Sequence, residues 1–216
     1  MELEEFLKAN KIKGAIFDMD GTLTDSMVRW SEIYAVLSGY LDIEFPREFM
    51  MKVNHIPMRE RVKEIKDEFS LDFDVDGVYT YWLDKTKKYY ENVFKIKPYM
   101  LETLKVLSSY GVKCGIATAS DSRLAEAFIE SNGLEKYMSS VTGLGEVTRP
   151  KSFPDVYLKA AEKLGVQPYE CIVFEDALTA VKAAKKGGFY VCGVQDNCSA
   201  NDEENIKSIS DFTMGF

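Results

Sequence analysis

The 216-residue sequence lacks the marks of a membrane or secreted protein. Its apolar runs fall short of the roughly 18 to 20 residues that a membrane span requires. Its N-terminal segment, MELEEFLKANK, is acidic and lacks the basic and then apolar order of a secretory signal. Internal repeats and low-complexity tracts are missing as well. The composition, with 46% hydrophobic and 29% charged residues, predicts a soluble, globular protein. We therefore expect a cytoplasmic protein without a membrane partner.

Basic residues are too few for an ordinary nucleic-acid-binding surface. Lys and Arg total 27 against 35 Asp and Glu, which gives a net charge of -8. That average field repels a phosphate backbone, and no local basic patch offsets it. We therefore expect no nucleic-acid partner.

Cysteine and histidine are scarce and badly spaced for a metal site. The four cysteines show no C-x-x-C spacing, and three of them stand beside apolar, strand-like residues. This placement favours buried free thiols over disulfides or a metal site. The single histidine is His55, for which a solvated or helix-capping role is the preferred interpretation. The cysteines are Cys114, Cys171, Cys192 and Cys198.

What the sequence does contain is an alternation of short apolar runs with helix-period segments. The runs are IKGAIF near the N-terminus and then VKCGIAT, MSSVTG, ECIVFED and FYVCGV, with amphipathic segments between the later ones. Continuous apolar strands separated by helices predict an α/β fold: a Rossmann-like, doubly wound parallel sheet covered on both faces. The polar tail predicts a further helix, with DFTM as an edge strand.

Residues 24–93 break that alternation. They contain helix-period segments with aromatic stripes and no strand-like run between them. We therefore predict an α/β core formed by residues 1–23 and 94–216, and a small all-α cap formed by residues 24–93, inserted after the first strand. Ligands of doubly wound sheets bind outside the carboxyl ends of the strands, so the insertion would cover that site.

Polar residues follow the ends of the predicted strands. Each of them alone has a commoner structural explanation, namely helix capping for the hydroxyls and carboxylates and solvent exposure for the lysine. Their convergence at one edge of one sheet favours a site for a phosphate and a divalent cation instead. They are Asp18 and Asp20, Thr118 and Ser120, Lys151, and Glu175 and Asp176.

The residue types suit phosphoryl transfer. Mg²⁺ prefers oxygen ligands, which Asp18 and Asp176 can supply from different strands. Asp18 directly follows the first strand and is the better nucleophile for forming an aspartyl-phosphate, whereas Asp20 on the turn can move protons. Thr118 and Lys151 would supply a hydrogen bond and a fixed charge to the transferring group.

Four segments carry a resemblance to a known family. DMDGTLTDS resembles the first motif of the haloacid dehalogenase-like (HAD) superfamily, and GIATAS, KSFPDVYLKAAEKLG and CIVFEDALTAVKAA are similar to its second, third and fourth motifs, in the same order. The helical insertion resembles the C1-type cap of the subfamily that contains phosphoglycolate phosphatase and beta-phosphoglucomutase-like proteins.

The resemblance implies roles for individual residues. Asp18 would be the nucleophile and Asp20 the general acid and base. Mg²⁺ would be bound by Asp18, the main-chain carbonyl of Asp20, and Asp176, with Glu175 near or among the ligands. The phosphate would be held by Asp18, Met19, Asp20, Thr118, Ala119 and Lys151.

The chain departs from the subfamily's pattern at three positions. Ser152 stands where proline commonly follows the lysine, and Ala180 stands where the fourth motif usually has glycine. Trp30 occupies about the position of a histidine that beta-phosphoglucomutases carry, which makes a phosphomutase less expected. Dehalogenase activity is also disfavoured, because haloacid dehalogenases lack the second aspartate, Asp20.

Three functions remain open at this point. We expect first a Mg²⁺-dependent phosphatase of a small phosphorylated metabolite, such as a sugar phosphate, phosphoglycolate or a nucleoside monophosphate. The alternatives are a sugar phosphomutase and a catalytically idle metabolite-binding protein. We expect a monomer. Substrate-reading candidates in the cap are Trp30, Tyr34, Lys52, Arg59 and Arg61, with Arg59 or Arg61 as a hypothetical clamp for a second phosphate or a carboxylate.

Overall fold

The computed structural model describes residues 2–54 and 56–215, in which six parallel strands form one sheet. The strands are β1 (Gly14–Phe17), β2 (Lys113–Thr118), β3 (Met138–Gly143), β4 (Cys171–Glu175), β5 (Tyr190–Val194) and β6 (Phe212–Met214). Their order in the sheet is β3-β2-β1-β4-β5-β6. This arrangement confirms the α/β, doubly wound fold that the alternating sequence predicts, including the edge strand near the C-terminus, which pairs with β5.

Helices cover both faces of the sheet and fill the segment between β1 and β2. Two short ones, α1 (Leu3–Ala9) and α3 (Arg47–Val53), were not expected from the sequence. The helices are α1 (Leu3–Ala9), α2 (Trp30–Leu41), α3 (Arg47–Val53), α4 (Met58–Glu68), α5 (Val75–Asn92), α6 (Pro98–Ser109), α7 (Ser122–Ser131), α8 (Asp155–Leu164), α9 (Leu178–Lys186) and α10 (Glu203–Ile209).

The central strand β1 explains why its sequence is apolar throughout. Ala15 and Phe17 join the core on one face of the sheet, and Ile16 joins the core on the other. All three side chains are fully buried. Phe17 also stacks on Phe174 of β4, with ring centroids 4.3 Å apart. The strand ends that carry Asp18 and Glu175 are therefore rigidly packed.

The helical segment after β1 is joined to the core by two chain crossings and by α5. At the crossings, the Lys97 amide donates to the Leu23 carbonyl at 2.8 Å. Helix α5 lies along α7, where the Ser131 hydroxyl donates to the Tyr90 carbonyl at 2.7 Å and the Asn132 amide donates to the Phe94 carbonyl at 3.2 Å. These bonds fix the C-terminal half of α5 against the core.

Two smaller expectations can be compared with the structure. The thiols of Cys114, Cys171 and Cys192 are buried and free, whereas Cys198 is exposed and also free. None of the helices in the described part of the chain combines the length and the apolar character needed to cross a membrane. The role expected for His55 lies outside the described residues.

Candidate active site

An ammonium lies between two carboxylates at the carboxyl edge of the sheet. The Asp18 amide donates to the Phe174 carbonyl at 3.0 Å, which extends the pairing of β1 with β4 as far as the candidate nucleophile. Lys151 Nζ contacts Asp18 Oδ1 and lies 2.5 Å from Glu175 Oε1. All three residues are less than a tenth exposed, so these charges interact with little screening by water.

Three carboxylates in this cluster fit a divalent cation. One oxygen from each of Asp18, Glu175 and Asp176 lies within 4.8 Å of the others. Burial raises the pKa of Asp18 to about 7, an effect that Glu175 and Asp20 strengthen and Lys151 opposes. Burial and the charge of Asp18 likewise raise the pKa of Asp176 well above its ordinary value. The single ammonium leaves surplus negative charge among hard oxygen donors, which is the donor set that Mg²⁺ prefers.

The turn after Asp20 packs directly on Asp176. Gly21 adopts φ +97°, and a Cβ atom there would lie 2.5 Å from Asp176 Oδ2, so only glycine fits. The Thr22 hydroxyl donates to Asp176 Oδ1 at 3.0 Å. On the other side of the turn, Lys97 Nζ donates to the Gly21 carbonyl at 2.5 Å. The turn thereby links the first and fourth sequence motifs.

Asp20 is held by three hydroxyl groups from three parts of the chain. Its Oδ1 accepts hydrogen bonds from Ser26 and Tyr90, both at 2.6 Å, and its Oδ2 accepts one from Ser120 at 2.8 Å. Burial, followed by the charge of Asp20, raises the pKa of the Tyr90 phenol well above its ordinary value. Tyr90 therefore remains a donor, and the carboxylate of Asp20 is fixed in one orientation.

The loop after β2 faces the same space. Thr118 is buried, and its Oγ1 accepts a hydrogen bond from the Ser120 amide at 3.0 Å. Neither residue caps the following helix, because Asp121 accepts the Arg123 amide at the start of α7. Across the cleft, the Tyr79 hydroxyl of α5 donates to Asp121. The loop is thus held by both the core and α5.

A cavity of about 490 Å³ connects these groups with the helical segment. Arg61 is 3% exposed, and it donates from Nε to the Ile56 carbonyl at 2.8 Å and from Nη2 to the Asn54 carbonyl at 2.6 Å. Its guanidinium lies 5.2 Å from the centre of the Trp30 ring. Among residues 2–54 and 56–215, no carboxylate forms an ion pair with Arg61. The lining includes Asp18, Asp20, Met27, Trp30, Asn54, Arg61, Thr118, Ala119, Ser120, Lys151, Ser152, Glu175 and Asp176.

Three of the cap candidates lie away from this cavity. Arg59 pairs with Asp76 at 2.7 Å on the exposed surface and is not among the residues that line the cavity. The reason is geometric: positions 59 and 61 of α4 are about 200° apart around the helix axis. Lys52 also lies at the surface, and Tyr34 is buried with its hydroxyl donating to Asn54 Oδ1 at 3.1 Å.

Several residues contact the site in ways that the sequence did not predict. Tyr90 lies in a helix, Asn54 in a turn and Ser26 just before a short 3-10 helix. At such positions a hydroxyl or amide gives no local signal of its partner. Tyr157 of α8 donates to Glu175 Oε1 at 2.7 Å, although its position in an amphipathic helix predicts only a core residue. Their partners are distant in sequence, so only the fold identifies them.

Comparison with known proteins identifies the family. A model of the haloacid dehalogenase-like hydrolase family matches residues 15–194, and the chain therefore belongs to this family. It is 29% identical over 177 residues to the fructose-1-phosphate phosphatase YqaB of Escherichia coli, covering 81% of this chain and 92% of that protein. It is 26% identical over 220 residues to a beta-phosphoglucomutase of Bacillus subtilis, covering 94% of this chain and 92% of that protein.

Solved structures give the same fold. CbbY from Rhodobacter sphaeroides, in complex with phosphate, superposes with a TM-score of 0.80 at 17% identity, covering 94% of this chain and 93% of that chain. The match to the family model confirms the motif resemblance seen in the sequence. The chain is an enzyme of the phosphatase and phosphotransferase type.

Proposed function

We propose that the protein is a Mg²⁺-dependent phosphatase that hydrolyses the phosphate monoester of a small sugar through a phosphorylated Asp18. The observation that carries this proposal is the convergence of Asp18, Asp20, Thr118 and Lys151 on one cavity beside a buried acidic cluster. The similarity to a fructose-1-phosphate phosphatase supports a sugar as the leaving group.

The cation would be held by Asp18, Asp176 and the main-chain carbonyl of Asp20, with Glu175 beside them. When bound, it supplies positive charge next to the transferring phosphate and offsets the surplus of carboxylates. Lys151 adds a fixed ammonium on the same side. Thr118 and the main-chain amides of Met19, Asp20 and Ala119 would hold the phosphate oxygens.

The reaction divides into two displacements. A carboxylate oxygen of Asp18 attacks phosphorus, the bond from phosphorus to the sugar oxygen breaks, and the carboxyl group of Asp20 gives that oxygen a proton. Asp20 then takes a proton from water, whose oxygen attacks phosphorus and releases inorganic phosphate, so that Asp18 is restored. The three hydroxyl donors keep Asp20 in position for both transfers.

We propose that residues 24–93 form a cap whose inner surface reads the leaving group. Arg61 supports this role, because it is a buried cation at the cavity wall and forms no ion pair with a carboxylate of residues 2–54 or 56–215. Two main-chain carbonyls accept hydrogen bonds from its guanidinium, but they do not neutralise its charge. An anionic or hydroxyl-rich leaving group would offset the cost of burying that charge. Trp30 provides an apolar face next to Arg61.

A sugar phosphomutase is the second candidate, and the similarity to a beta-phosphoglucomutase favours it. The two candidates share the phosphorylated Asp18 and differ in the acceptor, which is water for a phosphatase and a sugar hydroxyl for a mutase. Trp30 lines the cavity where those mutases carry a histidine, and this difference favours the phosphatase. The catalytically idle alternative is the least supported, because all four motifs keep their site residues.

A screen of phosphorylated sugars and acids with Mg²⁺, reading released phosphate, tests the proposal. Asp18→Asn serves as the blank, and Arg61→Met and Arg59→Met form a matched pair on one helix. We expect phosphate release by the wild type, a rise of about tenfold in KM for Arg61→Met, and unchanged kinetics for Arg59→Met. Conversion of one sugar phosphate into another without net phosphate release would indicate the mutase.

A further inference from the structure

Tyr157 is a fully buried residue of α8, and its hydroxyl contacts the cluster formed by Asp18, Lys151 and Glu175. It donates to Glu175 Oε1 at 2.7 Å, and Lys151 Nζ lies 2.5 Å from that same oxygen. Burial and the nearby charge of Glu175 raise the pKa of the phenol well above its ordinary value, so it remains a donor. One carboxylate oxygen thus receives both a tyrosine hydroxyl and the lysine ammonium.

The ring of Tyr157 also lies close to the lysine. Lys151 Nζ is 5.8 Å from the ring centroid. The second oxygen of Glu175, Oε2, has a weaker contact, with the Ala177 amide at 3.4 Å. Rotation of the Glu175 carboxylate is therefore limited chiefly by Tyr157 and Lys151, which share Oε1.

The main chain around Lys151 gives it limited support. The lysine lies in a turn in which the Phe153 amide donates to the Pro150 carbonyl at 2.9 Å, and it is followed by Ser152. A proline after the lysine would restrict the backbone of both residues. Because that restriction is missing here, the position of the ammonium depends more on its side-chain partners, Asp18 and Glu175.

We propose that Tyr157 is a positioning residue for phosphoryl transfer: its hydroxyl fixes the Glu175 oxygen that holds the Lys151 ammonium toward Asp18. This inference rests on the proposed role of Lys151 as the phosphate-binding cation. A tyrosine that merely filled the core would act through its ring, which packs against Phe189 with centroids 6.2 Å apart. The hydroxyl is therefore the group to test.

Tyr157→Phe removes only that hydroxyl and keeps the ring. Hydrogen bonds to charged groups contribute enough that we expect kcat to fall about tenfold and the Kd for inorganic phosphate, measured calorimetrically with saturating Mg²⁺, to rise about five- to tenfold. The Kd for Mg²⁺ alone should stay within twofold of the wild-type value. Phe189→Leu, which changes the packing of the same ring, is the control and should leave kcat and both Kd values within twofold.

Two further variants test the route through the lysine. In a Lys151→Met background, Tyr157→Phe should change phosphate affinity by less than twofold, because the group that it positions is gone. Glu175→Gln, which removes the charge that binds the ammonium, should also raise the phosphate Kd.

A Tyr157→Phe variant with wild-type kcat and wild-type phosphate affinity would overturn the proposal. So would a Tyr157→Phe variant that lost only Mg²⁺ binding, or a Tyr157→Phe change that weakened phosphate binding as much in the Lys151→Met background as in the wild type. A wild-type protein that releases no phosphate from any sugar phosphate would instead contradict the proposed function.

Discussion

The stability of the metal-free protein should depend on pH through Asp18. The pKa of this carboxyl is about 7 in the folded protein, compared with an ordinary value of 3.8. Between these two values the folded state binds more protons than the unfolded state, so the free energy of unfolding decreases as pH rises. The stability that the protonated Asp18 carboxyl contributes is therefore fully present below about pH 3.8, and it is lost as pH rises through about 7.

The size of this effect follows from the shift. The difference between about 7 and 3.8 is about three units, and at 1.36 kcal/mol per unit it gives about 4 kcal/mol. Asp18→Asn removes the titrating carboxylate and, at the same time, one partner of Lys151, which offsets part of the gain. At pH 8 without metal, we therefore expect Asp18→Asn to be more stable than the wild type by about 2 to 4 kcal/mol.

Urea unfolding in the presence of EDTA, at pH 4.5 and at pH 8, measures the difference. Asp84→Asn, at an exposed position of α5, controls for the change in net charge. Added Mg²⁺ should abolish the advantage of Asp18→Asn at pH 8, because a cation favours the ionised carboxylate. An Asp18→Asn protein that is no more stable than the wild type at pH 8, or that gains more at pH 4.5, would refute this reasoning.

Two other predictions concern groups that hold the site together. Tyr90→Phe removes one of the three hydroxyl donors to Asp20, so we expect a kcat about tenfold lower with KM within twofold in steady-state assays; an unchanged kcat would contradict this role. Lys97→Met leaves the buried Asp196 carboxylate without its ammonium at 3.4 Å, and the free energy of unfolding in urea should fall by about 3 kcal/mol. The exposed Lys105→Met is the matched control, and an equal loss in both variants would argue against the Lys97 contacts.

The fold could be predicted because the central strands have strong local signatures, whereas β3 and β6 at the sheet edges are only partly buried. The run Ala15, Ile16, Phe17 is apolar on both faces, which only a strand covered by helices on both sides requires. Once parallel strands are inferred, their carboxyl ends must lie at one edge, and the positions of Asp18 and Glu175 follow. Helix α3 carries no comparable signal within seven residues.

The surroundings of the site were harder to predict, because they depend on how helices pack. Tyr90 and Tyr157 occupy positions that an amphipathic pattern assigns to the core, and both are indeed buried. Which carboxylate each hydroxyl reaches depends on the rotation of α5 against α7 and of α8 against the sheet. The same holds for Arg59 and Arg61: their spacing places them on different sides of α4, but only the fold shows which side faces the cavity.

The central claim is that Asp18 carries the phosphoryl group during the reaction. Rapid acid quench of the enzyme mixed with Mg²⁺ and a radiolabelled sugar phosphate that it hydrolyses, followed by peptide analysis, tests this claim directly. We expect a hydroxylamine-sensitive label on the peptide that contains Asp18, formed and lost at rates compatible with turnover and missing in Asp18→Asn. Phosphate release at the wild-type rate by Asp18→Asn, or label on any other residue, would contradict it.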